Sequence, residues 1–296
     1  MNIVVFGGAG VLGSAIARTL RQAGHTVTTA GRAGCDVAVD FRYDTTPETF
    51  AELLRGTHIV VNAVGILIER GDNRFATVHV QAPAALFAAC AKARVARIVH
   101  ISALGVGKGI AGAYMASKLA AEQALQAGPV DYAIVRPTLL VDDASPSTRL
   151  FKFLSSLPII SLPGLLHPGA TRLAPIRVQD VAQVVANLCN HPKALRRVVE
   201  IAGPQTLTYR ELLASFRQTA GKGTALWLPM PWWLMHVSAW LAAHLPQNVF
   251  SRDTVRMLQA QSLPAHNDAP SWLGYVPNAV LAPVHNAQSA IKNVAT

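Results

Sequence analysis

Cysteine is scarce: three residues in 296, at 35, 90 and 189, too few and too far apart for a disulfide framework or a clustered zinc motif. That usage fits a reducing cytoplasm. Carboxylates are scarce too, with 16 Asp and Glu against 26 Lys and Arg, a formal charge of +10. The excess is spread along the chain and only Arg196-Arg197 are adjacent, so the clustered basic face of a nucleic-acid binder is missing. A solvated cationic surface that favours an anionic cofactor is the plainer reading. No apolar run reaches the roughly 18–20 residues of a membrane-spanning helix. No secretory leader is expected, because a strand begins at Asn2 and glycines interrupt it at once. With 14% charged and 51% hydrophobic residues, disorder is excluded and a globular chain with a large core is expected.

What is present begins with Gly7-Gly8-Ala9-Gly10-Val11-Leu12-Gly13. It follows the apolar run Ile3-Val4-Val5-Phe6 and precedes Leu12, Ile16, Leu20 and Ala23, which share one helix face. A glycine-rich turn between strand and helix lets backbone amides approach a pyrophosphate at the helix N-terminus. Gly7, Gly10 and Gly13 read as G-x-x-G-x-x-G, and Gly8, Gly10 and Gly13 as G-x-G-x-x-G. In that context the stretch predicts dinucleotide binding through Gly7, Gly10, Val11, Leu12 and Gly13.

The second strand, Thr26 to Ala30, ends in Gly31-Arg32, and no carboxylate follows until Asp36. An acidic residue at this point suits a ribose 2′-hydroxyl and an arginine suits a 2′-phosphate, so NADP(H) is favoured over NAD(H). Further strands are predicted at Asp36–Phe41, His58–Val61 and Ile98–Ser102. Helices are predicted from Thr46-Pro47-Glu48 to Gly56 and through Leu86, Phe87 and Cys90. Alternation at this spacing means a doubly wound parallel sheet of α/β, Rossmann type. The loops at 7–13, 30–32, 40–41 and 62–65 then share its ligand edge. Residues 1–137 with 174–202 are expected to form this core, and 138–173 with 203–296 a smaller substrate-binding lobe.

Ser102 ends a strand on that edge. Tyr114 and Lys118, at i and i+4, share one face of the next helix. A tyrosine of ordinary pKa near 10 needs about 4 kcal/mol of differential stabilisation to titrate near 7, and a neighbouring ammonium has the required sign. A serine hydroxyl then holds a carbonyl or alcohol while the phenol moves the proton.

Taken together, Gly7, Gly10 and Gly13, Asn62-Ala63-Val64-Gly65, Ser102 and Tyr114-x-x-x-Lys118 resemble the short-chain dehydrogenase/reductase superfamily. The likeness continues through Arg136-Pro137 and Pro175 to Ala182. With Gly203-Pro204, Asp253-Thr254-Val255 and Leu273-Gly274-Tyr275 it is most similar to the atypical branch related to the complex I NADPH-binding accessory subunit. The resemblance implies Tyr114 as acid/base, Lys118 holding the nicotinamide ribose and biasing Tyr114, and Ser102 positioning substrate. It further implies Arg32 on the adenosine phosphate, Asp40 and Phe41 at the adenine, Ala63, Val64 and Gly65 along the ribose, and Pro137 beside the nicotinamide. Two departures stand out. Val78-His79-Val80 replaces the asparagine many relatives carry, and Leu140-Val141-Asp142-Asp143 replaces the glycine that sugar-active relatives carry after Arg-Pro.

These features imply an NADP(H)-dependent oxidoreductase acting on an unidentified small-molecule substrate, an apolar carbonyl or alcohol. The alternatives are a non-catalytic NADPH-binding structural, assembly or sensing protein, and an NAD-dependent epimerase/dehydratase. Prolines at 146, 158, 163, 168 and 175 suggest an irregular cap over the substrate cleft. Thr208 and Glu211 form a candidate capping box for a helix near 209–220. The Trp- and Met-rich stretch Trp227–Leu245 is too short to span a bilayer and lacks a cationic face. It reads as the wall of an apolar pocket or a protein interface ahead of a peripheral membrane contact.

Overall fold

The computed structural model describes residues 1–242, 249–261 and 263–280. The chain opens with β1 (Asn2–Phe6), α1 (Val11–Gln22), β2 (Thr26–Gly31), β3 (Val37–Ala38), α2 (Pro47–Ala51) and β4 (Ile59–Asn62). A single π-helical turn, Ala76–Gln81, runs directly into α3 (Ala82–Lys92), followed by β5 (Arg97–Ile101), α4 (Ala113–Ala127) and β6 (Asp131–Pro137). Then come β7 (Leu140–Val141), α5 (Pro146–Ser156), β8 (Ile159–Pro163), β9 (Arg172–Leu173), β10 (Ile176–Arg177), α6 (Val178–Asn190) and β11 (Arg197–Ile201). The described chain closes with β12 (Leu207–Thr208), α7 (Tyr209–Thr219), β13 (Leu226–Met230), α8 (Trp232–Ala242), α9 (Arg252–Gln259) and α10 (Ala269–Leu273).

Seven parallel strands form the central sheet in the order β11-β6-β5-β4-β1-β2-β3, so the winding reverses between β1 and β4. All of them lie within residues 2–137 and 197–201. Strand alternation divides the core between the two faces. Ile3, Val5, Ile59, Val61, Val99, Ala133 and Val135 pack against α1, α6 and α10. Val4, Phe6, Val60, Ile98, Tyr132 and Ile134 pack against α2 and α3, with Leu125 of α4. A strand buried on both faces needs the near-continuous apolar runs read from the sequence.

Four sequence expectations change. The helix expected to run to Gly56 ends at Ala51, and turns complete the segment. The third strand is only Val37–Ala38, because its flanks have other partners. The Asp36 carboxylate accepts from the Thr29 backbone N–H and hydroxyl, both at 2.8 Å. Phe41 turns into the core, its ring 5.8 Å from Phe6 and 6.0 Å from Phe50. The cap is not irregular: α5 starts at Ser145-Pro146, and β8 pairs in parallel with β13. The stretch 227–245 is also not a closed pocket wall. Met235 and Ala239 of α8 are buried, whereas Trp233, Val237 and Leu241 are exposed; residues 243–245 of that stretch lie outside the described residues. Likewise, residues 243–248, 262 and 281–296 of the expected lobe lie outside them. The capping box at Thr208 and Glu211 forms as read, each side chain bonding the other's backbone N–H.

Candidate cofactor and active site

The glycine turn is held tightly at the reversal point of the sheet. The Gly7 and Gly8 N–H groups donate to the Ala30 carbonyl at the end of β2, and Gly10 N–H donates back to Gly7. Gly13 lies in the first turn of α1, where an added Cβ would stand 2.1 Å from the Gly7 carbonyl oxygen. Only glycine fits that approach. The first turn of α1 carries no acidic residue and Gly10 supplies no side-chain cap. The early N–H groups of Val11, Leu12 and Gly13 therefore keep both their donors and the positive end of the helix dipole for an anion. The donor set and the side-chain-free cradle fit a dinucleotide pyrophosphate.

The loops expected on this edge do meet there. A Cβ on Gly7 would lie 2.9 Å from Ala63, and one on Gly65 would lie 3.4 Å from the Lys118 ammonium. Arg32 is exposed and reaches Asn73 at 3.5 Å. Asp40 binds Arg42 through both carboxylate oxygens, and that guanidinium, with Arg32 adding to it, holds its carboxyl below the usual range. With the Phe41 ring in the core, only the backbone of that residue remains for an adenine, which corrects the expected ring contact. Asp36, the first carboxylate past the glycines, is engaged by Thr29 and Arg21. Pro137 ends β6, and its carbonyl accepts from Leu104 N–H.

Tyr114 and Lys118 occupy the first half of α4, both nearly buried, at 7% and 5% exposure. Lys118 Nζ donates to the Ile101 carbonyl at 3.1 Å, and burial brings its pKa down to about 8. The Tyr114 ring meets Phe75 at 5.9 Å and His79 at 5.7 Å, within a cluster that includes Ala103, Val106 and Met115. Burial pushes its phenol up to about 12. This reverses the expected lowering by Lys118: the ammonium is directed to a strand carbonyl, and its charge acts instead on His79 and His100.

Ser102 also has a different partner from the one expected. Its hydroxyl donates to the buried carboxylate of Glu122 at 2.5 Å, and Glu122 takes Arg136 through both oxygens. Arg136 lies 3.5 Å from Glu200, which in turn meets Lys108. The serine thus belongs to a charged network beneath the edge, and its one proton is committed there. Sequence reading missed this, although Glu122 is spaced i+4 from Lys118 and i+8 from Tyr114 on the same helix.

Two further residues join the site. His79, in the π-helical turn, accepts from Ile66 N–H at Nε2 (3.0 Å), and its Nδ1 is 2.9 Å from the Ser117 hydroxyl. Ser117 donates to the Tyr114 carbonyl at 2.7 Å. This neutral imidazole, its pKa lowered to about 2 chiefly by burial, ties the 63–66 loop to the Tyr114 helix. From the other side, the Asp253 carboxylate of α9 accepts from Tyr114 N–H at 2.9 Å. The signals for these were faint: a departure from the relatives' asparagine, and a loose C-terminal triplet.

Known proteins are similar to this chain in sequence and in fold. The chain is 27% identical to the ceramide reductase of Caulobacter vibrioides over 78% of its own length and 74% of that protein's. It is 25% identical to the mitochondrial NADH-ubiquinone oxidoreductase 40 kDa subunit of Neurospora crassa, over 70% of this chain and 57% of that protein, so this match spans little more than half of the relative. Its fold matches the Citrobacter sp. triphenylmethane reductase complexed with NADP(H), with a TM-score of 0.72, 18% identity, and coverage of 94% of this chain and 97% of that one. Among the described residues no helix is long and apolar enough to cross a membrane, and no cluster of His, Cys, Asp and Glu could hold a metal ion. Residues 7–192, more than half of the chain, match the model described as NAD(P)H-binding, and the chain belongs to that family.

Proposed function

We propose that this protein is an NADP(H)-dependent oxidoreductase of the short-chain dehydrogenase/reductase type, reducing an apolar carbonyl compound. The observation that carries the reading is the joining of the two ends of the edge. The Lys118 ammonium lies beside Gly65 of the loop that touches the glycine turn, one helical turn from Tyr114. When bound, the nicotinamide supplies the hydride equivalent. Gly7 to Gly13 would hold its pyrophosphate, Arg32 an adenosine 2′-phosphate, and Ala63 to Gly65 with Lys118 and Pro137 its nicotinamide ribose end.

Within the chain, Tyr114 is protonated at neutral pH, since burial holds its phenol near 12. That suits a proton donor to a carbonyl oxygen more than a base that removes a proton from an alcohol. With Ser102 bonded to Glu122, orientation of the carbonyl falls to Tyr114 and the apolar wall around it, which includes Phe75, Val106 and Met257. The described part of the expected lobe, 138–173 and 203–296, would close the substrate side. The name of the Caulobacter relative, a reductase of a lipid, agrees with an apolar substrate class.

The test is NADPH consumption with a panel of long-chain and aromatic ketones. Tyr114→Phe is expected to lower kcat by about 10²-fold or more while NADPH still binds. Undiminished turnover in that variant rules the assignment out. A second reading, a non-catalytic NADPH-binding protein, is favoured by one observation: the Ser102 proton is committed to Glu122. It expects NADPH to copurify unreacted and to raise stability by mass action without turnover on any carbonyl.

A further inference from the structure

An apolar surface of the lobe, remote in sequence from the glycine turn, has no counterpart in this reading. Two separate segments build it. On α8, Trp233, Val237 and Leu241 follow i, i+4, i+8 spacing on the outward face, and Trp233 is 67% exposed. Beside the start of α8, the loop at Gly164 is pinned by its N–H to the Met230 carbonyl at 2.9 Å, and a Cβ on Gly164 would lie 3.8 Å from Trp232 Nε1. The tip of that loop carries Leu165 and Leu166, the latter 91% exposed. Leu226 and Leu228, alternate residues on the preceding strand β13, are exposed as well. The helix contains no Asp, Glu, Lys or Arg, and its inner face is seated on protein through Met235, Ala239 and Val255.

An apolar outer face on a surface helix marks an interaction site. The charge pattern around it selects the occupant. No carboxylate occurs between Asp143 and Asp180 or between Glu211 and Asp253, the two stretches that make this surface, whereas they hold four and three Lys or Arg residues; of the seven, Arg217 is buried and Lys152 pairs with Asp143 at 2.7 Å. A leucine tip that stands almost fully in solvent offers a projection to insert, not a recess to fill. Projecting Leu and Trp on stretches rich in cations and without carboxylates is the chemistry that enters the headgroup region of an anionic bilayer. The helix needs no cationic face of its own, because the body of the protein covers its other side.

We propose that this protein docks on anionic lipid membranes through the outer face of α8 and the Leu165-Leu166 tip. The inference goes beyond the cofactor reading and is independent of it, since docking is measured without dinucleotide.

The experiment is co-sedimentation of the full chain with vesicles of phosphatidylcholine alone and with phosphatidylglycerol added. Light scattering on the vesicle-free protein gives its oligomeric state. The chain is expected to partition at least ~10-fold more strongly onto the anionic vesicles, and the double variant Leu166→Ser/Trp233→Ser to lose that partitioning by at least ~10-fold. Both side chains are exposed, so the thermal midpoint of the variant should match the parent and show that it folds. The proposal is overturned by failure to bind anionic vesicles, by binding that survives in the folded double variant, or by a dimer that the double variant dissolves, which would assign the surface to a second copy of the chain.

Discussion

His79 and His100 stay neutral inside the protein, with pKa values lowered to about 2 and about 3, chiefly by burial and then by the Lys118 charge. In the unfolded chain both take up a proton near 6.5. Between those limits the unfolded state binds more protons, so stability is fully present above pH 6.5 and is lost as the pH falls toward the folded values. Each histidine contributes a slope of about 1.4 kcal/mol per pH unit in that window. Urea unfolding measured from pH 7.5 to 5 should therefore show stability dropping with pH. His100→Asn should flatten the drop while lowering stability at pH 7.5, because the 3.3 Å contact with Asn62 is disturbed. An unchanged slope in that variant would contradict the assignment. Neither histidine's role was legible in the sequence. A lone histidine in an apolar run gives no sign of its partner, and the backbone N–H of Ile66 that His79 serves is supplied by a loop 13 residues earlier.

At the scale of elements, what was legible followed local chemistry. The β1–turn–α1 unit and the Thr208/Glu211 box both depend on neighbours within a few residues, and each forms where the residues indicate. What was illegible depends on contacts across the chain. Asp36 leaves its strand for Thr29, Ser102 is taken by Glu122, and β8 pairs with β13 some 67 positions later. The N-terminus of α4 is the case with most consequence for the site. Its capping carboxylate comes from Asp253, 139 residues onward, and a Cβ on Gly112 would lie 2.7 Å from that carboxylate. Helix α9 thus fastens the helix that carries Tyr114. Asp253→Ala should cost about 1 kcal/mol of stability through the lost bond to a helix N–H and the lost charge at the positive helix end. Asp253→Asn, which keeps an acceptor, should cost less. Equal thermal midpoints for the parent and Asp253→Ala would remove Asp253 as the cap.

For the whole molecule, the sheet, the reversal between β1 and β4 and the glycine turn place one anion-seeking edge on a chain of net charge +10. A ligand that binds only the folded state stabilises it by mass action, about 2.7 kcal/mol at a hundred times its Kd. Thermal shift therefore ranks dinucleotides without requiring turnover. Among the charged groups around the end of β2, Arg42 is bound to Asp40 through two oxygens, and Arg21 to Asp36. Arg32 adds charge at Asp40 but among the described residues bonds Asn73 alone, at 3.5 Å, so its guanidinium would be open to a 2′-phosphate. NADPH is expected to raise the midpoint more than NADH at equal concentration. Arg32→Ser should weaken NADPH by about tenfold, near 1.4 kcal/mol, and leave NADH almost unchanged, because a ribose 2′-hydroxyl gains little from a guanidinium. The substitution lies on an exposed turn and should leave the midpoint without ligand in place. If NADH stabilises the parent as much as NADPH does, or if Arg32→Ser weakens both equally, the arginine does not select the phosphate and the preference for NADP(H) fails.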